Sequence, residues 1–434
     1  MAVGGSRRTR YQALFVLALA VAVAGFLAVA AVRHGFFDLK VYYGAIRYWA
    51  RDGGEIYDYL KPNSKYGYTY PPFAALAMLP MAYLPWLAAI VLHVAATVVV
   101  SALLIWWLVD PISRRMGWTR WFAFAVALCL AAAFEPMRET VNFGQVNMLL
   151  LVLVVADLFW LVGPLPLGWR GPARPSWYSE DAWYRRLGGI GIGLATAIKL
   201  TPGIFIVYLL VTRRWRAAFV ASASAAAATL LAAAVAPDAS REYWLDALLN
   251  TDRVGSLAFI SNQSLQGVVA RLDPAEPSRA LWLVLVVATL AVWFWRVRAA
   301  ARAGDWATGM ALTAVVGCLV SPVTWVHHLV WLIPALVLVL DNAYRAPAGS
   351  RRRRWLLGFA VFGYGMLISR FVWIWEHGSP GVSGFLGSNF YVWISIALLL
   401  VLPIRPAEPV EGSDVPELDQ PERRPSPRPL EFVR

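Results

Sequence analysis

Long apolar runs alternate with short polar stretches from one end of the chain to the other. Many of the runs reach the roughly 20 residues that an α-helix needs to cross a bilayer. Backbone polar groups must be satisfied internally in lipid, which helices achieve. The pattern therefore predicts an all-α polytopic membrane protein, with apolar segments near residues 11–33, 87–109, 119–134, 146–164, 188–212, 217–236, 279–298, 306–320, 325–341, 355–373 and 391–403.

The composition agrees with this prediction. Of the 434 residues, 59% are hydrophobic and only 15% are charged, whereas about a quarter of a soluble domain is charged. The first apolar run follows Arg7, Arg8 and Arg10 and lacks a small-residue cleavage site. We interpret it as a retained first helix and not as a signal peptide.

The formal net charge of +13 would indicate nucleic-acid binding in a soluble protein. Here the arginines cluster at the ends of apolar runs, as expected of signals that set membrane topology. The positive-inside rule then predicts a cytoplasmic N-terminus, a long first periplasmic loop at 34–86 and about 11–12 crossings. The catalytic domain would span 1–404, and a Pro-, Glu- and Arg-rich cytoplasmic tail at 405–434 would be disordered.

One apolar segment does not fit a single crossing. Arginines mark both ends of the segment 187–211 as cytoplasmic, at Arg185–Arg186 and at Arg213–Arg216. A broken pair of half-helices resolves the conflict, with its turn at Lys199–Pro202 on the outer side. An intramembrane lysine at that turn is costly and indicates either a function, such as binding phosphate, or a paired charge.

This topology brings nearly every unusual polar motif to the outer face of the membrane. A single extracytoplasmic site assembled from several loops is the economical interpretation. The motifs are Asp38–Tyr70, Glu135–Gln145, Lys199, Ser261–Gln266, Ser321–His328 and Glu376–Asn389.

The first outer loop supplies the candidate reactive group. Asp38 follows the first helix, and partial desolvation at the membrane boundary would raise its pKa toward that of a general base. Its alternative role is to cap the next helix. Asp58 is a second candidate base, although it also resembles a loop anchor. Tyr42 and Tyr70 are candidate substrate-binding residues, and the stretch after Tyr70 predicts an interfacial segment.

Other polar residues are candidates for binding a sugar or a phosphate. Amide side chains hydrogen-bond sugar hydroxyls well. Helix capping would explain one asparagine in NFGQVN, but not two asparagines and a glutamine. Adjacent histidines on a helix point to different faces and make a poor metal pair, but either could bind phosphate or support the carboxylate. The candidate substrate-binding residues are Lys199, Arg138, Asn142, Gln145, Asn147, Asn262, Gln263 and His328, and His327 is a candidate catalytic residue.

Six motifs together resemble the PimE-like, polyprenol-phosphate-mannose-dependent α-(1→2)-mannosyltransferases of mycobacteria. These are integral-membrane glycosyltransferases of GT-C architecture. The resemblance covers about residues 35–400 through DLKVYYGA, YTYPPFAAL, NFGQVN, GLATAIKLTP, SNQSLQG and SPVTWVHH.

This resemblance implies inverting transfer of mannose from polyprenyl-phosphate-mannose on the periplasmic face of the inner membrane. Asp38 would be the general base, and Lys199 and His327 would stabilise the phosphate leaving group. The expected acceptor is a phosphatidylinositol mannoside, or alternatively the backbone of lipomannan or lipoarabinomannan. Neither a metal nor another cofactor is expected, since no DxD-like acidic pair is present. A lipid-linked sugar transporter is the rival class, and nucleic acid is not an expected partner.

Overall fold

Helices make up the regular structure of the described chain. The computed structural model describes residues 3–30, 34–161, 183–248, 253, 255–378 and 381–405. Within these ranges there are α-helices and short 3₁₀ or π segments, but no strand. The α-helices are α1 (Val3–Ala30), α2 (Phe37–Asp52), α3 (Pro72–Met78), α4 (Trp86–Arg115), α5 (Arg120–Ala133), α6 (Glu135–Phe143), α7 (Asn147–Ala156), α8 (Ile190–Ile198), α9 (Ile204–Val211), α10 (Trp215–Val235), α11 (Pro237–Glu242), α12 (Leu265–Leu272), α13 (Arg279–Arg302), α14 (Trp306–Val320), α15 (Ile333–Arg345), α16 (Arg351–Ile368), α17 (Gly381–Ser388) and α18 (Phe390–Val401).

The lengths and composition of these helices confirm a polytopic membrane protein. Five described helices are long and apolar enough to cross a membrane, and two bent pairs raise the number to seven. The bent pairs are α5 with α6, at 67°, and α17 with α18, at 62°. Four further apolar helices are shorter. The predicted 11–12 crossings stay a prediction, and the predicted tail lies, apart from Arg405, outside the described residues.

The segment with arginines at both ends is broken, as its charge pattern predicts. Helix α8 ends at Ile198, Lys199 is extended at φ −151°, and a 3₁₀ turn precedes α9. The guanidinium of Arg216 donates a hydrogen bond to the carbonyl of Arg185 at 2.7 Å. The two ends of the segment therefore meet, and Lys199 lies at the tip of a hairpin.

Ion pairs cluster at the C-terminal end of α4, far from its first residue, Trp86. The buried carboxylate of Asp341 accepts from Arg115 at the end of α4, from Arg345 at 3.2 Å and from Arg405 at 2.7 Å. An α-helix of 30 residues is about 45 Å long. This arginine-rich end is thus separated by the length of α4 from the end that carries the polar motifs.

A close contact between α2 and the end of α6 fixes the start of α2. Gly144 ends α6 at φ +75°, and a Cβ placed there would lie 2.5 Å from the Cβ of Leu39. Beside it, the amide of Phe36 donates to the carbonyl of Asn142 at 2.9 Å. Phe36 itself has φ +56°, a conformation that costs a non-glycine residue about 1 kcal/mol. This junction places Asp38 beside Gln145.

We expect Gly144→Ala to lower the thermal stability of the purified protein more than Gly117→Ala does. Both glycines have positive φ, but a Cβ at Gly117 meets nothing within 4 Å. The control thus carries only the backbone penalty of roughly 1–2 kcal/mol, and Gly144→Ala adds about 1–3 kcal/mol of overpacking against Leu39. Thermal denaturation in detergent measures the difference. Equal melting temperatures would show that the α2–α6 contact is not tight.

Candidate active site

A cavity of about 280 Å³ lies where α2, the Tyr66–Pro71 stretch and the tip of the α8–α9 hairpin converge. Gln145, in the turn between α6 and α7, closes it together with Trp325 and His328 at the start of the 3₁₀ helix Val326–Leu332. Distant parts of the sequence thus contribute to one site. Its polar and aromatic lining includes Asp38, Tyr42, Tyr66, Thr69, Tyr70, Gln145, Lys199, Thr201, Tyr243, Arg253, Ser321, Trp325 and His328.

Asp38 is held in a network of hydrogen bonds at one wall of the cavity. One of its carboxylate oxygens accepts from the amide nitrogen of Gln145 at 2.6 Å. The same nitrogen donates to the Tyr42 hydroxyl at 2.9 Å, and the Gln145 oxygen accepts from the Tyr70 hydroxyl at 2.7 Å. Among the described residues, the other oxygen of Asp38 accepts no hydrogen bond. It is therefore available to a substrate.

The environment of Asp38 suits a base that works near neutral pH. The residue belongs to α2, which is not among the candidate membrane spans. Desolvation by burial raises the pKa of Asp38 to about 6, and the Gln145 hydrogen bond and the Lys199 charge offset part of that rise. A carboxylate with such a pKa is mostly ionised at neutral pH and is a stronger base than an exposed aspartate.

Lys199 adjoins this network at Tyr70. Its amino group is 3.4 Å from the Tyr70 hydroxyl, 3.1 Å from Asn147 Oδ1 and 2.8 Å from His328 Nε2. His328 Nδ1 accepts from the backbone amide of Trp325 at 3.1 Å, so a neutral ring carries its proton on Nε2. The lysine nitrogen and the His328 N–H then lie side by side, too close for an anion to fit between them. Both can donate to one anion that approaches from the cavity.

The two adjacent histidines have different surroundings. The ring of His328 lines the cavity, whereas that of His327 does not; it is buried, with its centroid 5.3 Å from that of Phe143. The carbonyl of His327 accepts hydrogen bonds from Thr140 at 3.0 Å and Asn147 at 3.2 Å. Of the two histidines that the sequence predicts at the site, the described structure brings the ring of His328 to the cavity but not that of His327.

Two amide side chains that the sequence predicts to bind substrate connect loops and do not line the cavity. Asn262 and Gln263 are fully buried. Asn262 donates to the carbonyls of Leu257 at 3.0 Å and Pro322 at 3.2 Å, and Gln263 donates to that of Ser388 at 2.8 Å. These bonds support the Pro322 side of the cavity from behind.

Three further predicted residues also lie away from the cavity lining. The exposed side chain of Asp58 is in a turn between α2 and α3. Arg138 donates to the carbonyl of Ile368 at 2.9 Å and stacks on Phe26 at 4.9 Å. Asn142 contributes its carbonyl to the α2–α6 junction. Of the two candidate bases, only Asp38 lines the cavity.

Arg253 is a cavity residue that sequence reasoning missed. Its guanidinium donates to the carbonyl of Tyr57 at 2.6 Å and lies 3.8 Å from the Glu242 carboxylate. It adds a second positive charge to the lining besides Lys199. No local pattern marks an arginine in LLNTDRVG as functional, because only the fold brings it to the cavity. Within the described ranges, no group of three or more His, Cys, Asp or Glu side chains is arranged to hold a metal ion.

Comparisons with known proteins show to which family the chain belongs. The model of glycosyltransferase family 87 matches residues 68–322. A "polyprenol-phosphate-mannose-dependent alpha-(1-2)-phosphatidylinositol mannoside mannosyltransferase" of Mycolicibacterium smegmatis is 31% identical over 88% of this chain and 87% of its own. The protein of that name from Mycobacterium tuberculosis is 31% identical over 84% and 83%. A "phosphatidylinositol pentamannoside mannosyltransferase" of M. smegmatis is 31% identical over 82% of each chain.

The similarity to an arabinose-transferring protein is smaller. An "alpha-(1->3)-arabinofuranosyltransferase" of Corynebacterium glutamicum is 27% identical over 48% of this chain and 46% of its own. No solved structure was found that matches the chain. The family match covers more than half of the chain and includes Tyr70, Gln145 and Lys199 of the cavity. This protein is therefore a membrane-embedded member of glycosyltransferase family 87.

Proposed function

We propose that this protein transfers mannose from polyprenyl-phosphate-mannose to a hydroxyl group of a phosphatidylinositol mannoside. The printed names of the mycobacterial relatives support the donor, the sugar and the acceptor class. The observation that carries the proposal is the cavity itself. A carboxylate free to act as a base lines the same cavity as Lys199 and His328, whose nitrogens lie 2.8 Å apart.

Asp38 is the general base of the proposed reaction. Its carboxylate takes the proton of the acceptor hydroxyl while that oxygen forms a bond to the anomeric carbon of mannose. The bond from this carbon to the donor phosphate oxygen breaks, and its electron pair leaves with the lipid phosphate. Attack opposite the leaving group inverts the β-linked donor to an α-linked product. A stable phosphate leaving group needs no general acid.

Lys199, His328 and Arg253 serve the phosphate end of the donor in this proposal. The lysine ammonium and the His328 N–H converge on one point, and the Arg253 guanidinium adds a charge-assisted donor at the cavity lining. The leaving phosphate gains negative charge as the glycosidic bond breaks. These donors therefore stabilise the transition state more than the bound donor lipid.

The site faces the periplasm in this proposal. The cavity and the arginine-rich end of α4 lie at opposite ends of the helix bundle. Arginines are retained preferentially on the cytoplasmic side, which supports a location of the cavity at the outer surface. A donor that is carried by a lipid allows the reaction to proceed there without a soluble nucleotide sugar.

Transfer of labelled mannose by the purified protein tests this proposal. The protein would receive polyprenyl-phosphate-mannose together with phosphatidylinositol mannosides of different mannose number, or lipomannan. We expect a labelled phosphatidylinositol mannoside with one additional α-(1→2)-linked mannose. Labelling of lipomannan alone would assign the acceptor to the mannan backbone, and the absence of any transfer from this donor would overturn the proposal.

The pKa of Asp38 predicts how the reaction depends on pH. A base with a pKa of about 6 is protonated and inactive below that pH, so kcat/KM should rise with pH and be half-maximal near pH 6. Initial rates of mannose transfer between pH 5 and 8, in one detergent and at constant ionic strength, measure this profile. A rate that falls across this range would argue against a carboxylate base.

A further inference from the structure

A second cavity lies on the face of α2 opposite to Asp38. It measures about 580 Å³, and its walls are α2, the turn at 59–62 and the first residue of α4. Lys40, Tyr43 and Arg47 share this face, because helix positions three and four apart lie side by side. Asp38 and Tyr42 point to the other face and line the first cavity. We name this second cavity the α2 groove.

The α2 groove carries excess positive charge. Lys40, Arg47 and Lys61 line it together with one carboxylate, that of Asp52. Among the described residues, none of the three cations forms an ion pair with a carboxylate. Arg47 donates one hydrogen bond, at 2.8 Å, to the Tyr43 hydroxyl, which leaves further guanidinium N–H groups to bind a ligand. The groove is therefore suited to an anion from outside the chain.

Aromatic rings place the α2 groove at the membrane surface. The rings of Tyr43 and Trp86 lie 5.2 Å apart between centroids. Trp86 is the first residue of α4, a candidate membrane span, and tryptophan is enriched where helices pass from lipid into water. The ring of Tyr59 forms another wall and lies so close to α2 that a Cβ at Gly44 would overlap it. The pairing of Tyr43 with Trp86 favours a position of the groove at the depth of lipid headgroups.

We propose that the α2 groove binds the phosphate of an anionic phospholipid headgroup. Lys40, Arg47 and Lys61 would contact the phosphate, since guanidinium and ammonium groups form strong charge-assisted hydrogen bonds with it. The tyrosine and tryptophan rings would pack against the glycerol and the attached polyol. A position beside Trp86 favours a lipid over a soluble anion, because the phosphates of the bilayer lie at that level. This proposal does not depend on the transferase reaction.

Lipid binding by the purified full-length protein tests this site. The measurement is the affinity for fluorescent phosphatidylinositol in neutral detergent micelles, with fluorescent phosphatidylcholine as the neutral probe. The double variant Lys40→Gln/Arg47→Gln removes two charges from the groove. Its matched control, Arg51→Gln/Lys65→Gln, removes one arginine and one lysine from exposed positions outside it in the same loop. Thermal denaturation confirms that both variants are folded.

We expect the groove variant to bind phosphatidylinositol about thirtyfold more weakly than the wild type, because each of the two basic residues removed contributes about 1 kcal/mol near a lipid surface and about 1.4 kcal/mol corresponds to tenfold. The control variant should bind like the wild type, and phosphatidylcholine should bind weakly to all three proteins. Equal losses in the two variants would overturn the proposal. Competition by inorganic phosphate at the concentrations of the lipid would overturn the assignment to a lipid.

Discussion

Asp38→Asn should reduce the rate of mannose transfer by about 10³-fold, since positioned general bases contribute about 10²–10⁴-fold. Asparagine has nearly the shape of aspartate, and its side-chain oxygen can still accept the hydrogen bond from Gln145. It cannot take a proton from the acceptor hydroxyl. The variant should therefore retain its expression, its melting temperature and its affinity for the donor lipid, while the rise of activity near pH 6 disappears from any residual rate.

Asp58→Asn is the matched control for this experiment. Both substitutions remove one carboxylate from the region between α1 and α3, but Asp58 is exposed and does not line the cavity. We expect its rate to stay within about twofold of the wild type, as for most surface substitutions. A large loss in Asp58→Asn with a small loss in Asp38→Asn would assign the base to Asp58. Equal small losses would remove the carboxylate base from the mechanism.

Charge and hydropathy were sufficient to predict much of the fold. The broken hairpin at Lys199 followed from arginines at both of its ends, because one straight helix cannot have two cytoplasmic ends. The contact between Arg216 and Arg185 confirms it. The number of crossings could not be predicted in the same way. Helices such as α6 and α17 are short and bent against their neighbours, so their apolar runs do not correspond to single straight spans.

The sequence predicted the cavity only in part, because side-chain direction depends on local geometry. Asp38, Gln145, Lys199 and His328 converge as expected of one site. Asn262 is as polar as these residues, yet it points into a loop and satisfies backbone carbonyls. The sequence alone cannot distinguish an amide that lines a cavity from one that satisfies backbone carbonyls, since both are buried near a turn. The contribution of Arg253 was likewise invisible, because it depends on a contact between distant loops.

Lys199→Gln should lower kcat/KM for the donor lipid by about 10²–10³-fold, comparable to the removal of one donor from an oxyanion hole. A phosphodiester donor carries about one negative charge and the departing lipid phosphate carries nearly two. The lysine therefore gains attraction as the glycosidic bond breaks, and kcat should fall by a larger factor than KM rises. Lys65→Gln, at an exposed position between α2 and α3, removes the same charge and should leave both constants unchanged.

The division of the effect between kcat and KM distinguishes this role from a structural one. The glutamine side chain can still reach toward Asn147 and His328, which limits the loss of packing at the hairpin tip. A rise in KM alone would mean that Lys199 binds the donor and the transition state equally. Unchanged constants would place the phosphate elsewhere, with Arg253 as the next cation to replace. A selective fall in kcat would identify the hairpin tip as the part of the fold that stabilises the leaving phosphate.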